Sequence, residues 1–137
     1  MSIINFSNTR QMEGLFDAIN PIKELIESKI NLSRTADREK RINLNQNKIM
    51  RICLLAGLSS KEPRDMEAVE QIQLSKTSNR IFETLFTLHN LGAVYSALLT
   101  LRYNGLIVDW EIAGLKSKVV NSEIIRGSKI LSRLQCP

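Results

Sequence analysis

Apolar residues recur at helical spacing along most of this chain. Met12, Leu15, Phe16 and Ile19 fall on one face of a helix that Asn8 and Gln11 can start, and Ile22, Leu25 and Ile26 continue an apolar stripe beyond Asn20-Pro21. Proline is tolerated in a first helical turn and penalised in an interior, so Asn20-Pro21 predicts a break or a new start. A short extended piece, Ile30-Asn31-Leu32, precedes Ser33, which can cap a helix running to Lys40 or Arg41. An Asn-rich turn (Asn43, Asn45, Asn47) leads to a second helix, with Ile49, Ile52, Cys53 and Ala56 on one face and Gly57 as its stop.

Residues 59–78, with Pro63 and many polar side chains, read as a mobile connector holding a short helix around Met66 to Ile72. Ile81, Phe82, Leu85 and Phe86 predict a helix over 80–89, and Ala93 to Tyr103 predicts another, closed by Asn104-Gly105. Two more helices are expected, Ile112 to Val120 and one from Ser122 carrying Ile124, Ile125, Ile130, Leu131 and Leu134. The fold class is therefore all-α: a compact single helical domain with one short extended segment before a helix-turn-helix-like pair. The 81–103 region and the last helix are expected to supply the core.

The 137 residues suffice for one modest core, and 43% hydrophobic with 24% charged residues is a globular balance. Cys53 and Cys136 form no CxxC pair, and the longest run without a polar residue, Ile52 to Leu58, is too short to cross a bilayer. With no signal-peptide pattern at MSIINFSNTR, a cytoplasmic protein without membrane contact is expected.

Charge changes the picture through its distribution. The net charge is +5, yet residues 29–51 hold seven bases against two acids, and residues 116–137 hold five bases against Glu123 alone. If the fold brings these blocks together they form a basic face suited to a phosphate backbone. The candidate DNA-binding residues are Lys29, Arg34, Arg38, Lys40, Arg41, Lys48, Lys116, Lys118, Lys129 and Arg133.

No phosphate-binding Gly-rich loop, dinucleotide fingerprint or zinc-ligand spacing occurs, so no cofactor, no metal and no catalytic residue is assigned. Asp109 and Glu111 could share one side only on a strand, and solvated surface is the simpler role for them. His89 is weighed as a general base or phosphate contact against a helix-end packing role, with the latter preferred. Trp110 and the two tyrosines fit a core or interface better than base stacking.

Asn31-Leu32-Ser33-Arg34-Thr35-Ala36, Ile52-Cys53-Leu54-Leu55-Ala56 and Ser59-Ser60-Lys61-Glu62-Pro63 resemble the DndE family of bacterial DNA phosphorothioation proteins. Glu83-Thr84-Leu85-Phe86 with His89, Tyr95-Ser96-Ala97-Leu98-Leu99, and Arg126-Gly127 before Leu131 resemble that family's C-terminal half. The resemblance spans about residues 30–134 and divides the chain into an N-terminal helical extension, 1–29, and a DndE-like helical DNA-binding domain, 30–137. It implies a homo-oligomer, a tetramer, that binds double-stranded DNA with a preference for nicked duplex. It further implies sulfur-transfer and ATPase-like partner components of a DNA sulfur-modification and restriction-modification system.

Residues matching the family are Ser33, Arg34, Thr35, Cys53, His89, Arg126 and Gly127, none with an assigned catalytic role. The chain departs from the family at Leu88, in its Asn-rich turn and in its first 29 residues. The expected function is a non-catalytic DNA-binding subunit of a phosphorothioate-modification system. The alternatives are a DNA-binding repressor using the 30–57 pair, a metal-dependent nicking nuclease, and a scaffold without DNA binding of its own.

Overall fold

The structure is a computed structural model that describes residues 4–6, 9–30, 44–75, 82 and 91–133. Among these residues the fold is all-α and without a sheet. Its five helices are α1 (Leu15–Ile30), α2 (Gln46–Ser59), α3 (Met66–Glu70), α4 (Leu91–Arg102) and α5 (Leu115–Ser132). The predicted helices over 33–41 and 80–89, and His89 with them, lie outside the described residues.

The core is built on α2 and α5, which make the most extensive contact in the molecule, and α1 packs on both. α2 buries Ile49, Met50, Cys53, Leu54 and Leu58, and α5 buries Val119, Val120 and Ile124. Leu15, Ile19 and Ile22 of α1 enter this same core, as do Tyr95 and Leu99 of α4. The last helix lies in the core as expected and the 81–103 region adds Phe82, Tyr95, Leu99 and Tyr103, but the principal partner of α5 is α2.

Gly57 and Gly127 set how closely α2 and α5 approach. A Cβ on Gly57 would overlap the Glu123 carbonyl, and one on Gly127 would overlap the Cys53 carbonyl. The pairing of 57 with 123 and of 53 with 127 makes the helices run in opposite directions across this contact. Gly57 is therefore no helix stop: it serves as a close-approach position inside α2, which continues two residues to Ser59.

Other boundaries differ from the sequence pattern for identifiable reasons. α1 starts at Leu15, because Met12 is engaged in an isolated antiparallel bridge with Leu74 and Gln11 O accepts from Ser75 N at 3.0 Å. Pro21 sits inside α1 on its exposed side, where burial of Ile19 and Ile22 holds the helix together around it. Ile30 is the last residue of α1, so the expected extended piece does not begin there. α5 runs unbroken through Ser122 from Gly114, whose φ of 77° forms its start. The Asn45 cap is as read from the sequence, its side chain accepting from Lys48 N at 2.9 Å. The Asn104-Gly105 close of α4 is likewise present, with Gly105 at φ 83°.

The N-terminal stretch is tied down by side chains of the helices. Ser117 Oγ accepts from Arg10 N, Asn121 Oδ1 accepts from Met12 N, and Asn121 Nδ2 donates to Arg10 O. Ser96 Oγ accepts from Ile4 N at 2.8 Å. Phe82 is buried and its N–H donates to Thr9 O at 3.1 Å. No helix among the described residues is long and apolar enough to cross a membrane.

Candidate functional site

Residues 60–65, read from sequence as a mobile connector, carry the most heavily bonded side chain of the structure. Arg64 has 1% of its side chain exposed and donates from Nε and Nη2 to Glu123 Oε1 (3.0 and 2.6 Å). It also donates from Nη2 to Gly57 O, and from Nη1 to Ser60 O and Glu62 O. The guanidinium thereby satisfies carbonyls at the C-terminal end of α2, where a positive charge also meets the negative end of the helix dipole. Arg102 adds to this from α4, donating from Nε to Leu58 O at 2.6 Å.

Glu123 is fully buried and holds Arg126 Nε on its other oxygen at 3.1 Å. Tyr103 OH is directed at that same oxygen at 3.4 Å. Burial, then the charge of Glu123, pushes the Tyr103 hydroxyl well above its ordinary range, against opposing effects of Arg64 and Arg126. The Trp110 ring meets Tyr103 edge-on at 6.0 Å, which assigns it to packing. Arg64, Glu123 and Tyr103 form a buried, fold-holding centre, and Arg126 at its edge reaches toward the surface. Sequence reading missed it, although a lone acid among five bases, flanked by apolar residues on α5, was a usable signal.

Of the ten candidate cations, the six among the described residues do not all share one face. Arg34, Arg38, Lys40 and Arg41 lie outside the described residues. Lys116 Nζ donates to Asn5 O at 2.6 Å and pairs with Glu111, and Lys118 Nζ donates to Glu70 O at 3.0 Å. These two are occupied at the beginning of α5. Lys29, Lys48, Lys129 and Arg133 are exposed, and among the described residues none of the four is in an ion pair.

The helix directions gather these four. Lys48 lies in the first turn of α2 and Lys129 and Arg133 at the end of α5, so the antiparallel packing puts them on the same side of the glycine crossing. Glu27 of α1 accepts from Leu44 N, which brings the end of α1, with Lys29, to the start of α2. One end of the helical pack is therefore basic. α2 turns one face into the core and leaves Lys48, Leu55 and Ser59 exposed on the other, where Lys48 is the one exposed charge and Leu55 is apolar.

Beside this end, α5 and the α3 region enclose an open cleft of about 380 Å³. Arg126, Lys129 and Arg133 stand along its α5 wall, and Met12, Ile72, Ile125 and Ile130 give it an apolar lining. Elsewhere, Asp109 Oδ1 accepts from Glu111 N, and Glu111 pairs with Lys116, so these two carboxylates are used in a turn and an ion pair. Among the described residues no group of three or more His, Cys, Asp or Glu could hold a metal. Cys53 is buried in the core, where desolvation pushes its thiol up to about 12.

No protein-family model, no curated protein and no solved structure matches the chain. The resemblance to the DndE family therefore has no support among known proteins. The all-α expectation is supported by the structure. DNA modification, DNA phosphorothioation, DNA sulfur modification, restriction-modification and homo-oligomer find no support in any comparison and are withdrawn. DNA binding rests on the charge arrangement alone.

Proposed function

We propose that the protein is a non-catalytic binder of a phosphate backbone, with duplex DNA as the polyanion. The observation that carries this reading is the collection of Lys29, Lys48, Lys129 and Arg133 at one end of the helical pack, exposed and, among the described residues, outside ion pairs. In sequence, Arg34, Arg38, Lys40 and Arg41 fall between the two helix ends that meet there. Lysine acts toward phosphate as a compact point charge and arginine as an orienting donor, so such a set holds a backbone without reading base edges. The exposed face of α2 carries Lys48 with the apolar Leu55 and offers few groups to read base edges, which favours this over an operator-reading repressor. No group of three or more His, Cys, Asp or Glu among the described residues could hold a metal, which favours it over a metal-dependent nuclease.

The test is fluorescence anisotropy with intact and nicked duplexes of the same sequence, followed by a check of strand integrity in Mg²⁺. Salt-sensitive binding is expected, weakened by Lys29→Glu with Lys48→Glu and left nearly unchanged by Lys61→Gln, an exposed lysine at the opposite end of α2. Equal losses for both variants, or no binding to either duplex, would overturn the reading.

A further inference from the structure

The structure assigns a second, separate role to the cleft along α5: we propose that it takes a small amphiphilic anion, an aliphatic chain ending in a carboxylate or phosphate. Its volume of about 380 Å³ lies within the range of ligand sites, roughly 300–1,000 Å³. Met12, Ala68, Ile72, Ile125 and Ile130 give the walls an aliphatic character, with no aromatic ring among the described residues, which suits a chain of methylenes.

Among the described residues the charged groups at the cleft are Glu62, Arg126, Lys129 and Arg133, a surplus of two positive charges. Arg126, Lys129 and Arg133 are spaced by three and four residues, so they share one side of α5. Both Lys129 and Arg133 lie at the C-terminal end of that helix, whose dipole amounts to about half a negative charge. Two or three full cations outweigh it.

Arg126 has a built geometry for an anionic head. Its Nε is fixed on the buried Glu123, while Nη1 meets Glu62 Oε2 at 3.3 Å at the cleft. Glu62 is 57% exposed, and an exposed pair of this kind contributes only about 0–1 kcal/mol. An incoming carboxylate or phosphate can therefore take the place of the Glu62 carboxylate on Arg126, while the Arg126–Glu123 contact stays in place. Glu62 is thus an internal competitor for the site.

Isothermal titration of the full chain with decanoate, decyl phosphate, decyltrimethylammonium, acetate and inorganic phosphate tests this, with methyl NMR on Ile72, Ile125 and Ile130 to locate binding. One equivalent of a decyl anion is expected to bind, and which head binds tighter separates carboxylate from phosphate ligands. Lys129→Gln with Arg133→Gln is expected to weaken binding about ten-fold. Glu62→Gln is expected to tighten it by up to about five-fold, the equivalent of one exposed ion pair. All three substitutions are at exposed positions, and thermal unfolding confirms that each variant is folded. Lys29→Gln with Lys48→Gln is expected to leave it unchanged, which separates this site from the DNA-binding reading. Equal binding of the decyl cation, binding of acetate or inorganic phosphate as tight as that of the decyl anions, or indifference to both cleft variants would overturn the proposal.

Discussion

Arg64 and Glu123 carry opposite charges into the interior, and neither is tolerable there alone. Removing one partner of such a pair leaves an uncompensated buried charge and costs about 3–5 kcal/mol, whereas an exposed pair is worth a fraction of that. Arg64→Met is therefore expected to lower the unfolding free energy in urea by about 3–5 kcal/mol. A loss below about 1 kcal/mol, the scale of a surface pair, would show that Arg126 alone satisfies Glu123. Of the neutral buried groups that Cys53, Tyr95 and Tyr103 supply, Cys53 and Tyr103 make a clear contribution on the alkaline side. Cys53 is raised from an ordinary 9.0 to about 12, and Tyr103 is raised above its ordinary 10.0, in each case mainly by burial. In the unfolded chain both ionise first, so their contribution to stability is complete below about pH 9 and is lost progressively as pH rises through the folded values. Unfolding midpoints measured between pH 8 and 11.5 are expected to fall, and Cys53→Ala and Tyr103→Phe should each flatten that fall.

At the scale of the element, the decisive contact is the glycine crossing of α2 and α5. Gly57→Ala and Gly127→Ala each place a methyl against backbone that no side-chain rotation can move, so each is expected to destabilise by about 3 kcal/mol or more in chemical denaturation. Pro21→Ala works in the opposite direction. It restores a helix hydrogen bond at an exposed position, and is expected to raise stability by about 1–3 kcal/mol, which would show as a higher melting temperature. These two cases also mark what the sequence could reveal. Apolar spacing disclosed α1, α2, α4 and α5, and the Asn45 and Asn104-Gly105 signals placed two helix ends correctly, because caps and turns act through residues adjacent in the chain. The same reasoning took Gly57 for a stop and Pro21 for a break. Tertiary contact with Glu123 and Gly127 decides the first, and burial of Ile19 and Ile22 the second, and neither is local. The connector hid Arg64 for the same reason: its partner lies 59 residues away.

On the whole molecule, the two basic blocks of the sequence turn out to be sorted by the helix directions. The α5 block is split along the helix, with Lys116 and Lys118 engaged near its start and Lys129 and Arg133 exposed at its end. The candidate site was legible as charge but not as place, because the antiparallel run of α2 and α5 follows from packing. A phosphate-binding end makes a quantitative demand. Each cation that neutralises a phosphate contributes about 0.9 to the slope of log affinity against log salt. The most direct measurement is therefore that slope on duplex DNA for the unaltered chain and for Lys29→Gln with Lys48→Gln. The account predicts that the double variant lowers the magnitude of the slope by about 1.8 while its melting temperature stays unchanged. An unchanged slope would contradict it, since the basic end would then hold no phosphate.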